Sequence, residues 1–199
     1  MASRDPTDVA AYDAQLPKVT IGGVQPLRAP IEIHDYDPSW PLRFEREQAR
    51  VRSSLGERVV RIEHVGSTSV RGLAAKPIID IALEVRDSAA EPAYVPALEA
   101  AGYVLRIREP EWFEHRLLRS PDGDVNIHVF TAGCVEVGRM LLFRDWLRTV
   151  PADRELYAGA KRELATREWK YTQQYADAKT AVIREIMARA SGLEDALRR

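Results

Sequence analysis

Two short stretches of strict alternation set the framework of this chain. Over residues 77–85, Ile79, Ile81, Leu83 and Val85 fall on one side of an extended backbone, and Ile78, Asp80, Ala82 and Glu84 on the other. Residues 124–130 repeat the pattern, with Val125, Ile127 and Val129 opposite Asp124, Asn126, His128 and Phe130. A period of two at this length predicts β-strands, each with one aliphatic face to bury. The opposite face of the first strand carries Asp80 where sheet packing does not require it.

The remaining pattern mixes strands with helices. Trp40, Phe44, Val51 and Leu55 recur at helical spacing, with Ser39 as the expected N-cap, Pro41 in the first turn and Gly56 as the stop. Residues 57–65 read as a strand with Val60 and Ile62 on one face, and residues 103–108 and 115–119 as two more. Residues 94–101 read as a short helix closed by Gly102, and Pro121-Asp-Gly-Asp as a turn. Helices are expected over 140–150, 153–167 and 171–190, the last with Tyr171, Tyr175, Ala178, Val182 and Ile186 as its apolar stripe. Residues 1–30, with Pro26 and Pro30, read as an arm holding a helical turn at 10–16 and a short strand from Lys18 to Gly23. Residues 31–33 are a further strand candidate. The fold class is therefore α/β (α+β), one domain over 31–190 with a helical C-terminal half, followed by a tail at 191–199.

Composition narrows the function classes. With 29 basic and 30 acidic residues among 199, the net charge of −1 gives no general attraction to nucleic acid or anionic lipid. The single cysteine, Cys134, permits no internal disulfide and no thiolate metal cage. No apolar run approaches the roughly 20 residues that span a bilayer. A chain free of membrane contact and located in the cytoplasm is the expectation.

Between the strands at 57–65 and 77–85 lies Gly66-Ser-Thr-Ser-Val-Arg-Gly-Leu-Ala-Ala-Lys76. A Gly-Ser pair lets backbone approach a phosphate closely, and loop N–H groups with the Ser67 and Thr68 hydroxyls can donate to its oxygens. Asp80 on the next strand can hold a divalent cation against the same phosphates, and Lys76 adds a point charge. His128 and Asn126 lie on the polar face of the second alternating strand. His64 can satisfy the loop backbone, and His115 and Arg116 read as solvated strand residues. Lys170, Tyr171, Tyr175 and Lys179 suit either a nucleobase cradle or core beside a solvated face.

Four motifs, in order and spacing, resemble the GrpB family of the nucleotidyltransferase-fold superfamily. They are Asp35-Tyr-Asp-Pro-Ser-Trp; His64-Val-Gly-Ser-Thr-Ser-Val with Lys76-Pro-Ile-Ile-Asp-Ile; Asn126-Ile-His-Val-Phe; and Leu142-Phe-Arg-Asp-Trp-Leu-Arg. The resemblance, which covers residues 31–190 and extends to the Val19-Thr-Ile-Gly-Gly arm, implies a nucleotidyltransferase-like mixed β-sheet flanked by helices. It implies Gly66 and Ser67 on the phosphates of a nucleoside triphosphate, Asp80 as the catalytic acid on Mg or Mn, and transfer of a nucleoside monophosphate to a small molecule. Relatives fused to dephospho-CoA kinase bring a coenzyme-A-related ligand into view.

The sequence departs from the superfamily pattern at Ala82, where a second metal-binding acid is expected. His128 can join Asp80 as a metal ligand, and Arg144 can reach phosphate or base. Two functions follow: a metal-dependent nucleotidyltransferase, or a non-catalytic nucleotide- or CoA-related binding or sensor protein.

Overall fold

A computed structural model of the chain describes residues 16–27 and 29–197. The helical turn expected at 10–16 lies almost wholly outside these residues, as does the end of the tail. Helix α1 spans Trp40–Leu55, with Pro near its start and Gly56 closing it at φ 57°, its N–H on the Arg52 carbonyl. Ser39 does not cap it through its side chain; its own N–H is held by Asp37 Oδ1 at 2.7 Å. Strand β1 (Arg61–Val65), a 3₁₀ turn at Ser67–Ser69 and strand β2 (Ile79–Val85) follow. A short helix α2 (Val95–Ala100) precedes β3 (Val104–Glu109), β4 (His115–Arg119) and β5 (Val125–Thr131). The helical half holds α3 (Val135–Thr149), α4 (Pro151–Ala165), α5 (Thr172–Ala178) and α6 (Thr180–Leu197).

The five strands form one mixed sheet in the order β1-β2-β5-β4-β3. The two alternating strands, β2 and β5, are parallel neighbours at its centre, in a register that sets Asp80 beside Asn126 and Ala82 beside His128. The other pairs are antiparallel. Parallel neighbours need a crossover, and residues 86–124 supply it. One sheet face carries Ile79, Ile81, Leu83, Ile127, Val129 and Leu118, all fully buried under Trp40, Val51 and Leu55 of α1 and Leu98 of α2.

The other face is covered only in part. Val137 and Leu141 of α3 pack on Val65, Ala82 and Phe130. A second cluster, Leu147, Tyr157, Ala158 and Ile186, packs on Val70 and Leu73 of the segment after β1. Where these layers stop, the polar residues of β2 and β5 face a cavity.

Several expectations are corrected. Strand β1 begins at Arg61, because 56–58 form a 3₁₀ turn; Val60 is left 56% exposed while Ile62 is buried. Helix α3 starts five residues early, at Val135. The long C-terminal helix is two helices that break at Lys179, and the second runs on to Leu197. Residues 31–33 form no strand, the nearest pairing being an isolated bridge of His34 with Ala75. Residues 16–19 are helical, and Thr20 makes a single bridge to Ile107 in place of a strand. His115 and Arg116 are 3% and 4% exposed, not solvated, because β4 lies between β3 and β5.

Candidate functional site

The turn after β1 is shaped by one glycine. Gly66 has φ 67° and ψ −174°, a conformation open essentially only to glycine. A Cβ there would collide with Asp80 Oδ2 and lie 2.9 Å from Asp80 Cβ. The absent side chain is what lets the turn press against the acid of β2. Ser69 Oγ donates to the Gly66 carbonyl at 2.5 Å, and Arg148 donates to the Ser69 carbonyl from Nε and one terminal nitrogen, at 3.2 and 2.8 Å.

The hydroxyls of this turn have different fates. Thr68 Oγ1 donates to the Ile78 carbonyl at 3.0 Å, and His64 Nε2 lies 3.1 Å from Thr68 Oγ1. The Thr68 proton is thus committed to the fold, contrary to the expected role on phosphate. His64 stacks on Phe44 with ring centroids 4.7 Å apart, and burial pushes its pKa down to about 4. Ser67 and Tyr157 both border the cavity.

Asp80 meets the sheet neighbours that the register brings it. Its Oδ1 accepts from Asn126 Nδ2 at 2.8 Å and lies 3.7 Å from His128 Nε2. Burial opposes its charge, but His128, Asn126 and Lys179 together hold its pKa below the usual carboxylate value. Behind His128, Nδ1 is 3.1 Å from His115 Nε2, and His115 Nδ1 is 2.8 Å from Glu109 Oε2. The two imidazoles thus run in one line between Glu109 and Asp80, with a carboxylate at each end.

These groups border a cavity of about 450 Å³, which Gly66, Ser67, Thr68, Lys76, Asp80 and His128 all line. The structure thus gathers every expected site residue except Arg144. That side chain lies outside the cavity, donating to Glu63 at 2.9 Å, to the His64 carbonyl at 3.0 Å and to Asp145 at 2.8 Å. It braces β1 against α3, so the expected contact with phosphate or base is corrected to a structural role.

Lys179, Arg106 and Arg119 also reach the cavity. Among the described residues none of these three, nor Lys76, makes an ion pair within 4 Å. Burial and the neighbouring Lys179 lower Lys76 to about 8. Tyr175 lies beneath both lysines, its ring centroid 5.8 Å from Lys76 Nζ and 4.8 Å from Lys179 Nζ. Tyr175 is 2% exposed, and its hydroxyl is buried without a hydrogen-bond partner among the described residues. Lys179 and Tyr175 are legible in the sequence as a mixed aromatic and basic stripe. The two arginines stand in strands whose faces the alternation does not assign.

The donor set does not fit a pair of divalent cations. Among the described residues Asp80 is the only carboxylate lining the cavity, Ala82 stands at the next position on its face, and Glu84 Oε1 accepts from the Gly133 N–H at 2.7 Å. Among the described residues no group of three or more His, Cys, Asp or Glu side chains is arranged to hold a metal ion. One carboxylate among four cations leaves too little negative charge for two ions. A single ion at Asp80 and His128 would have to take its other donors from the ligand. No helix among the described residues is long and apolar enough to cross a membrane.

The comparisons with known proteins agree with this architecture. The family model described as GrpB protein matches residues 30–189. A UPF0157 protein of Halalkalibacterium halodurans is 56% identical over 179 residues, covering 90% of this chain and 92% of that protein. A dephospho-CoA kinase of Mycolicibacterium paratuberculosis is 31% identical over 189 residues, covering 82% of this chain but 46% of the kinase. The crystal structure of conserved protein GrpB from Enterococcus faecalis superposes with a TM-score of 0.72 at 32% identity, covering 80% of this chain and 96% of that one. The matched segment takes in the turn, both central strands and the helical half, and on these grounds the chain belongs to the GrpB family.

Proposed function

We propose that the cavity binds a phosphate-bearing small molecule of nucleotide type, and that the chain acts as a binding protein without two-metal transfer. The observation that supports this best is charge. Lys76, Lys179, Arg106 and Arg119 line one cavity with Asp80 as its only carboxylate among the described residues, beside a glycine turn that presents Ser67. Unpaired cations in a partly desolvated cleft are unfavourable until an anion joins them. Ser67 Oγ and the lysines would take phosphate oxygens. Phe143 and Tyr171, both half-buried, offer apolar surface for a base.

Thermal-shift and calorimetric titration with the four nucleoside triphosphates tests the reading. A ligand at a hundredfold its Kd stabilises by about 2.7 kcal/mol. For a chain of 199 residues that corresponds to a rise in Tm of roughly 5–10 °C. Ser67→Ala and Lys179→Met are expected to weaken binding about tenfold each. Incubation with α-labelled triphosphate and Mg²⁺ or Mn²⁺ should release no pyrophosphate; release would restore the transferase reading. Absence of binding by any phosphorylated ligand at millimolar concentration would refute the proposal.

The relative named dephospho-CoA kinase favours one narrower reading, a ligand related to coenzyme A. Dephospho-CoA therefore belongs in the same titration panel.

A further inference from the structure

A bulge at the outer edge of the sheet sets Arg106 and Ile107 side by side on the wall of the cavity. Strands β3 and β4 pair Ile107 with Leu117, but the register slips before Leu105, which faces Leu118. Arg106 is the extra residue. In an unbroken strand Arg106 and Ile107 would point to opposite faces, whereas here both line the cavity. Arg119 of β4 comes to the same wall, with Nε donating to Asn126 Oδ1 at 3.0 Å. The two guanidinium charges feel each other: burial first, and then Arg106, lowers the pKa of Arg119.

The N-terminal arm is seated over this pair. Ile21 N–H donates to the Arg106 carbonyl at 2.8 Å, and Thr20 bridges Ile107. Gly22, at φ 75°, passes so close that a Cβ on it would lie 3.2 Å from a guanidinium nitrogen of Arg106. Two like charges are thus placed side by side and roofed, with no carboxylate partner among the described residues.

We propose that Arg106 and Arg119 form a second phosphate subsite, so that the ligand is a small molecule carrying two separated phosphates. This rests on the phosphate reading above, with the first phosphate at the Gly66–Ser67 turn and the two lysines. A phosphate monoester dianion matches two guanidinium charges, whereas a carboxylate matches one, and the planar forks of arginine suit phosphate oxygens. The subsites are separate but linked: Gly66 packs against Asp80, Asp80 Oδ1 accepts from Asn126 Nδ2 at 2.8 Å, and Asn126 Oδ1 accepts from Arg119 Nε at 3.0 Å, so the two phosphates would lie at opposite ends of this polar line.

The test compares adenosine 3′,5′-bisphosphate with AMP by calorimetry, using the full chain and its Arg106→Met, Arg119→Met and Arg106→Lys variants. The full chain should prefer the bisphosphate by about tenfold or more, the worth of one charge-assisted contact pair. Both methionine variants should bind the two nucleotides with equal affinity, and Arg106→Lys should keep part of the preference. Equal affinity of the full chain for the two nucleotides overturns the inference, as does a preference that survives both methionine variants. Failure to bind either nucleotide would instead remove the phosphate reading itself, and this inference with it.

Discussion

Replacing Gly66 with alanine puts the geometry of the site to its most direct test. The substitution acts through two separable terms. The backbone at φ 67° and ψ −174° is strained for any L-residue, at a cost of about 1–3 kcal/mol. The new methyl would also run into Asp80 Oδ2 and meet Asp80 Cβ at 2.9 Å and Cγ at 3.0 Å. The carboxylate oxygen can rotate away, but the Cβ belongs to a central strand paired on both sides and cannot. Overpacking of this kind costs roughly another 1–3 kcal/mol, so Gly66→Ala should lose about 2–6 kcal/mol in all. Gly72 supplies the control, with φ 81° and nothing within 4 Å of where a methyl would stand, so that only the backbone term applies. Urea denaturation of both variants gives the difference. In an Asp80→Gly background the cost of Gly66→Ala should fall to that of Gly72→Ala, since the double-mutant cycle isolates the contact. A Gly66→Ala variant no more costly than Gly72→Ala would refute the close approach of turn and acid.

Other expectations concern buried titratable groups and the brace. Lys161 is 2% exposed, donates from Nζ to the Ala74 carbonyl and has its pKa pushed by burial to about 6. The unfolded chain then holds one more proton between pH 6 and about 10.5, so stability should rise with pH across that window, and Lys161→Met should flatten the rise. Parallel urea stability curves for the two proteins would contradict this. His64, lowered to about 4 from 6.5, should cost on the order of 3 kcal/mol as pH falls through that interval. A His64→Gln variant, followed by the same denaturation series, should lose the corresponding slope. Arg144→Met should lower stability by roughly 1–3 kcal/mol through its bonds to Glu63 and the His64 carbonyl. Nucleotide affinity should be unchanged, and a variant that binds more weakly at unchanged stability would return Arg144 to the site.

The centre of the sheet is legible in the order of the residues alone. Period-two alternation over 79–85 and 125–129 settles which side chains face the core, and it leaves Asp80, Asn126 and His128 on the other face. The glycine before Ser67 announces a backbone that no other residue adopts cheaply. Such signals are local, written into neighbouring residues, and are therefore readable without coordinates. Features that join residues far apart in the chain emerge only once the elements pack. The strand order alone buries His115 and Arg116, and it takes the packing of α3 on β1 to give Arg144 to Glu63. The helix break at Lys179 and the bulge at Arg106 carry no decisive local mark, yet they contribute two of the cavity's four cations. The division follows from range: alternation and turn geometry are set within a few residues, whereas a pocket's charge is the sum of side chains delivered by separate elements.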